Sequence, residues 1–421
     1  MNKSFSLSTK LFIVIVCYAP IFSSIIPKTN FGGGLPDLDL VRVSTILLFC
    51  SFFFDVFKQG SIKFNSWIII ILIYSINVAA SVSWSKAYSY DARMIASLFD
   101  TLFVPMFIAI VGMNIFQNIE SRKRYARHIM FAVCALSIMC IYEAFFDIVQ
   151  FGGITRAATT LGNPNLVAII LVLWLPLILI SEREEWLSKK YSILVQVIIL
   201  MGIIGTVSRK GLITWFVTYV LFFYLNKEKH KVIILSVLGG IGFIILLAYS
   251  SAVSTRFSGA DVEYNLDAKW NMMMAGVQMF FERPIIGYGY NGYFENFGRF
   301  FRYSWVDKYD AHNEYVTALA SYGFIGFVWF TALFVVPFFY LRKKYKKERP
   351  TLKSKKIKNH SDTQFYIMGI SLIPPIMMST FYAGALFKQP VAVISFFAQI
   401  SFATAITFYN KKNIKKTDDN E

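Results

Sequence analysis

Few side chains in this 421-residue sequence are suited to chemistry, so their positions carry weight. Four histidines occur: His128, His230, His312 and His360. Imidazole ordinarily ionises near neutral pH, so each is a candidate proton acceptor. Five ionisable groups stand inside apolar stretches: Arg42, Asp55, Asp100, Glu143 and Asp147. Charge is costly there, and it marks either a functional site or a helix-to-helix pair. Arg156, Arg209, Lys210 and Arg283 fall in the polar segments between such stretches. The four cysteines, Cys17, Cys50, Cys134 and Cys140, all lie in apolar stretches and form no C-x-x-C pair. They read as buried thiols, not as a disulfide framework or a zinc site. No metal and no cofactor is expected.

The elements that must position these groups are membrane helices. The chain is 56% hydrophobic and 16% charged, whereas a soluble domain carries about 25% charged residues. That deficit excludes a disordered, fibrous or ordinary cytosolic protein. Apolar blocks recur at 9–27, 40–57, 62–82, 94–115, 126–149, 164–181, 191–207, 211–226, 231–250, 313–341, 364–386 and 390–409. Each supplies close to the ~20 residues that cross a bilayer. The expected fold is therefore all-α, a polytopic integral membrane protein of about twelve transmembrane helices forming one domain over 1–421. One long external loop, about 251–312, separates helices nine and ten, and a Lys-rich loop, about 342–363, follows helix ten. The latter suits anionic lipid headgroups. The first block lacks an A-x-A-like cleavage site and reads as a retained helix.

Lys and Arg set the orientation. The net charge is +17, but the basic residues cluster in short loops, so the lipid bilayer and not nucleic acid is the expected partner. With the N-terminus cytoplasmic, inside segments hold 28 of the 42 basic residues and outside segments 13. Both termini are expected inside. Arg42, Asp100, Glu143 and Asp147 then sit at the outer-leaflet level, and Asp55 sits at an inner end near Lys58. His312 alone among the histidines lies outside, where the long loop meets helix ten. A polar cavity open to the outer face is one reading. The other is that Arg42 pairs with Asp100 or Glu143 to hold helices together.

Three stretches carry a pattern. Arg156 precedes Leu161-Gly162-Asn163-Pro164-Asn165, and Thr206-Val207-Ser208-Arg209-Lys210-Gly211 forms a tight turn. The third runs from Arg283-Pro284-Ile285-Ile286-Gly287-Tyr288-Gly289 to Asp310-Ala311-His312-Asn313-Glu314-Tyr315 and Ser321-Tyr322-Gly323. Together, over about 150–335, they resemble the O-antigen ligase and O-antigen polymerase superfamily of bacterial membrane glycosyltransferases. That family look includes a G-x-x-N-P-N-like helix start, an S-R-G-like turn, a P-x-x-G-x-G segment in an external loop and an H-N-x-(Y/F/L) helix start.

The resemblance implies glycan transfer from a polyprenyl-diphosphate carrier to an acceptor hydroxyl, at the outer face of the bacterial plasma membrane, in surface polysaccharide or lipopolysaccharide synthesis. It needs no metal or nucleotide sugar, and it inverts the anomeric centre. The acceptor is a lipid A core or another glycan in a ligase, and a second lipid-linked glycan in a polymerase. Arg209 matches the family Arg and would hold the diphosphate bidentately as negative charge develops. His312 matches the family His and would act as general base. Lys210 stands where the family more often has Gly. Leu266 stands where many members have Arg, four residues before Trp270, so Arg283 is the expected second phosphate contact. Arg156, Arg42, Lys210 and Asn313 complete the expected substrate-binding set. Asp310 and Glu314 stand ready either to orient the imidazole or to solvate the loop.

Other readings belong beside this one. Asp37-Leu38-Asp39 in the first outer loop would suit a transferase using polyprenyl-monophosphate sugars. Twelve spans with both ends inside would suit a transporter or flippase, although transporters place charges nearer the midplane. Gly287, Gly289 and Gly292 spell G-x-G-x-x-G, but no strand–helix context surrounds them, so a turn is the better account. The aromatics of 288–305 suit packing on the bilayer surface better than sugar stacking.

Overall fold

A computed structural model describes residues 7–22, 40–59, 61–85, 96–146, 148, 150–151, 154–228, 230, 233, 259–301, 311–348, 361–382 and 389–418. Among them the chain is almost wholly helical. The helices are α1 (Leu7–Phe22), α2 (Leu40–Gln59), α3 (Ser66–Trp84), α4 (Ala96–Ile115), α5 (Ile119–Phe145) and α6 (Pro164–Arg183). They continue as α7 (Lys189–Gly205), α8 (Arg209–Leu225), α9 (Gly259–Glu282), α10 (Gly292–Phe300), α11 (Glu314–Glu348), α12 (Ser361–Tyr382) and α13 (Pro390–Asp418). One short hairpin pairs Gln150–Phe151 with Ile154–Thr155.

Among the described residues, six helices are long and apolar enough to cross a membrane: α3, α4, α5, α6, α11 and the Thr363–Phe381 part of α12. α2, α7 and α8 coincide with expected spans, and the block at 231–250 lies outside the described residues save for Ile233. Side-chain caps start several helices where the sequence offers Asn or Ser. Asn65 accepts from the Ile68 amide at 2.9 Å, Asn118 from Glu120 at 2.8 Å, and Asn163 from Asn165 and Leu166 at 3.0 and 3.3 Å. Pro164 follows at the first helical position, where its missing N–H costs nothing.

α6 is the central helix. Every side chain from Leu166 to Ser181 is buried, and α5, α7, α8, α12 and α13 pack around it. Its uninterrupted apolar sequence is what all-round burial demands.

The bundle has two distinguishable ends. At one, Gln364 donates to Asn226 at 3.0 Å, Tyr345 to the Leu225 carbonyl at 2.8 Å, and Arg183 pairs with Glu228 at 2.6 Å. α8 starts at Arg209, so Arg209 lies at the opposite end, about 25 Å away for a helix of that length. The far end of α12 reaches the same level, where Thr380 donates to the Tyr315 hydroxyl at 3.3 Å. The Arg209 turn and the start of α11 therefore share one end of the bundle.

α11 is not the single straight span that its sequence suggests. It breaks at Gly323, whose φ is 63° and ψ −165°. Tyr315 and Phe330 would stand about 22 Å apart along a straight helix, yet their rings are 5.5 Å apart. The arm 314–322 folds sharply toward 324–348. The break exists because the loop inserts there: Phe324 and Ile325 donate to the Pro284 and Ile285 carbonyls at 2.8 and 3.4 Å, while Gly289 donates to Ser321 at 2.6 Å. A Cβ on Gly323 would lie 2.3 Å from the Ile285 oxygen, so only glycine fits.

The segment from α9 to the first arm of α11 has a core of its own. Ala275, Met279, Tyr288, Tyr293, Phe297, Ala311, Val316 and Ala320 bury one another, joining α9, α10 and the first arm of α11 into a cap. Tyr290 ties this cap to the bundle. Its hydroxyl meets Ser97 at 2.7 Å, its carbonyl accepts from Ser85 at 2.8 Å and its amide donates to Ser81 at 3.4 Å.

Candidate functional site

Two polar groupings occupy the end of the bundle that carries Arg209. The first is built around Arg156, which is 3% exposed. Its Nε donates to the Thr206 carbonyl at 3.1 Å, and its Nη2 to Asn165 Oδ1 at 3.3 Å. Ser208 Oγ donates to the same Asn165 oxygen at 2.9 Å and accepts from the Gly211 amide at 3.1 Å. Asn165 thus joins the N-P-N helix start to the turn that presents Arg209 and Lys210. Those two residues open α8 and are both half-buried. Glu143 completes the grouping, accepting from the Ala158 and Thr159 amides at 2.9 and 2.8 Å. Its place in an apolar helix is thereby explained: it holds the Arg156 loop.

The second grouping is the start of α11. Asn313 is fully buried, and its Oδ1 accepts from the Tyr315 and Val316 amides at 3.0 and 3.1 Å. Its Nδ2 faces the Met273 sulfur at 3.8 Å. Asn313 is therefore the N-cap of α11, and it fixes the residue before it. His312 is half-buried, and Glu314 is 4% exposed beside Tyr74 and Tyr322.

Backbone strain marks both groupings. His312 has φ 51°, Val207 φ 48° and Thr159 φ 47°. Non-glycine residues rarely adopt that left-handed region, and a β-branched residue such as Val207 or Thr159 least of all. Each costs about 1–3 kcal/mol, held by surrounding structure, and such residues concentrate at functional sites. Here three of them fall immediately before Ser208-Arg209, inside the Arg156 loop, and at His312 itself, while Glu185, Lys227 and Asn291 adopt the same region elsewhere.

The remaining expected residues take other positions. Arg42 forms a two-point ion pair with Asp100, Nε to Oδ1 at 3.0 Å and Nη2 to Oδ2 at 2.5 Å, which clamps α2 to α4. Arg283 lies 4.7 Å over the Tyr288 ring at the end of α9. Burial first, and then the Glu282 carboxylate, push the Tyr288 phenol up to about 12. Asp55 accepts from Ser8 at 2.5 Å, where Lys58 was the expected partner. His128 is bonded by the Tyr18 hydroxyl at 2.6 Å. Asp37, Asp39 and Asp310 lie outside the described residues, as do the side chains of Asp147 and Leu266. A groove between Asn65, Trp67, Pro337 and Tyr340 includes no residue of either grouping and bears no charged group.

Asn165, Ser208 and Tyr290 were not singled out from sequence as functional side chains. The first two were legible as parts of motifs, but nothing in spacing shows that one carboxamide serves both.

Residues 194–331, about a third of the chain, match the family model described as O-antigen ligase. The stretch runs from α7 past the break in α11 and contains Arg209, Arg283 and His312. Arg156 and Arg42 precede it. No curated protein matches the chain.

Proposed function

We propose, from the match of residues 194–331 to the O-antigen ligase family model, that this chain is a glycosyltransferase of the O-antigen ligase and polymerase superfamily. Its helices and this family point to a bacterial membrane protein. In our reading the end bearing Arg209 and His312 faces outward at the plasma membrane, with both termini cytoplasmic. The donor is a polyprenyl-diphosphate-linked glycan, and the acceptor is a hydroxyl of a lipid A core or another glycan.

The chemistry uses this chain's own side chains. The acceptor oxygen attacks the anomeric carbon as His312 takes its proton. The carbon–oxygen bond to the diphosphate breaks, and its electron pair leaves with the polyprenyl carrier. Arg209 meets the charge growing on the diphosphate, with Lys210 beside it at the start of α8. A helix N-terminus adds its own positive end to that anion. Attack opposite the leaving group inverts the anomeric centre, and no metal takes part. Arg283 remains the candidate second phosphate contact. Arg156 and Asn313 act through what they hold, the Arg209 turn and the His312 junction. Arg42 acts through Asp100, holding α4, on which Tyr290 anchors the cap.

What supports this reading most is the strained backbone at Val207 and His312, next to the proposed phosphate and base groups at one end of the bundle. The test is transfer by the purified protein in lipid, with a polyprenyl-diphosphate oligosaccharide and either a lipid A core or no second acceptor. Products are read by mass spectrometry beside His312→Ala. A new glycosidic bond to the core means ligase, and chain growth without it means polymerase. No covalent change in any condition, or transfer undiminished in His312→Ala, refutes the mechanism.

A further inference from the structure

α9 is apolar on two opposite faces. Ala275, Gly276 and Met279 turn into the core of the cap. Trp270, Met274, Val277 and Phe281 repeat at i, i+4, i+7 and i+11, a spacing that puts them on one stripe of a helix. That stripe faces away from the core: Trp270 is 61% exposed and Phe281 74%, with Met274 and Val277 half-buried.

The stripe does not stop at the helix end. Ile285 is 65% exposed and Ile286 45%, in the turn that follows. Backbone bonds fasten that turn to Phe324 and Ile325, themselves 59% and 41% exposed, at the head of the straight part of α11. Trp84, at the end of α3, donates to the Ile286 carbonyl at 3.3 Å. The apolar surface of the cap is therefore continuous with the exposed apolar surface of a helix long and apolar enough to cross a membrane. Exposed to water, a patch of this size is a liability. Trp and Phe on one side of a helix, with Arg283 and an Arg299–Glu282 pair 3.1 Å long at its end, are what an interfacial helix carries.

We infer that the Trp270–Phe281 face of α9 and the Ile285–Ile286 turn are a membrane-docking surface, seated in the acyl boundary of the leaflet beside the cap. The occupant is lipid. The docking holds the cap, and with it the first arm of α11, at a fixed height over the bilayer. It rests on the spanning helices and not on the transferase reading.

The test places an environment-sensitive fluorophore on Val277→Cys, Phe281→Cys and Gln278→Cys in the full chain, reconstituted in phosphatidylethanolamine–phosphatidylglycerol vesicles. Labelled wild type gives the native-cysteine background. Gln278 is exposed next to the stripe but off it. At positions 277 and 281 a nitroxide-bearing lipid should quench several-fold more than at 278, and aqueous iodide should show the reverse order. Equal iodide access at all three positions overturns the proposal. So does lipid-insensitive emission at 277 and 281 with cysteine cross-links between copies, which would assign the face to a second chain. Phe281 stands on the surface, so its variant keeps the test available if substitution at half-buried Val277 impairs folding.

Discussion

Arg156 and Ser208, fifty-two positions apart in sequence, bond to one oxygen, the Oδ1 of Asn165, at 3.3 and 2.9 Å. Neither Arg209 nor Lys210 makes either of these two bonds. The bonds instead fix the turn from which Arg209 and Lys210 project. Because Asn165 opens the most deeply buried of the candidate spanning helices, the turn is held against the core of the bundle.

Asn165→Ala is the direct test of that arrangement. It removes the shared acceptor and leaves Arg156 Nη2 and Ser208 Oγ without it, a loss of about 1–3 kcal/mol. A drop of several degrees in thermal midpoint should accompany a fall in transfer of at least tenfold. Asn165→Asp keeps the acceptor oxygens and should recover much of the rate. Equal rates for Ala, Asp and wild type would show that the turn positions itself.

Arg209→Ala should lower the rate by about 10²–10³-fold, the usual effect of losing one preorganised partner of a developing anion. Folding should be nearly unaffected, because Arg209 sits in the first turn of α8 and only half-buried. Arg209→Lys keeps the charge but not the fork, and should fall between the two. Steady-state transfer kinetics with matched protein levels read this.

His312→Ala should cost about 10²–10⁴-fold, the range for a lost general base. The diagnostic readout is the pH profile. A neutral imidazole base gives a rate that rises with pH on the acid side, and the variant should lose that limb. A profile unchanged in shape would mean that another group takes the proton.

Glycine substitutions separate the cap's docking from ordinary turn strain. Gly323→Ala brings a Cβ to 2.3 Å of a backbone oxygen, and Gly287→Ala to 2.5 Å of the Gly323 nitrogen. Backbone atoms on both sides cannot yield, so loss of stability should exceed about 3 kcal/mol, or the protein should fail to accumulate. Gly162 has a similar φ, 64°, but its Cβ would meet nothing within 4 Å. Gly162→Ala should cost only about 1–2 kcal/mol. Thermal unfolding in detergent compares them, and equal losses would show that the Gly287–Gly323 crossing is not a structural lock.

The Arg42–Asp100 pair offers a cycle. Arg42→Gln and Asp100→Asn should each destabilise, and the double variant should be less destabilised than the sum, by about 1–3 kcal/mol. Transfer per folded molecule should change little in the double variant. A large loss of transfer with stability intact would instead give Arg42 a direct hold on substrate.

The sequence by itself pointed to a helical membrane protein and to the limits of several of its helices, because apolar blocks of spanning length and Asn or Ser caps are local signals. α2 and α6 follow the blocks at 40–57 and 164–181 closely, and Asn163-Pro164 starts α6 for reasons readable within four residues. The resemblance also brought Arg209 and His312 forward, and the matched family domain contains both. Tertiary structure decided what those motifs do for one another. Sequence spacing left Arg42 open between substrate and helix pair, and only packing put Asp100 beside it. The H-N-x-x start looked like the head of a straight span, yet the loop's backbone bonds into Ser321–Ile325 fold that arm back at Gly323. α9 read as part of an external loop, and two opposed apolar faces became visible only when one was seen to be filled. Periodicity shows which residues share a face, but what covers that face depends on contacts between segments tens or hundreds of residues apart.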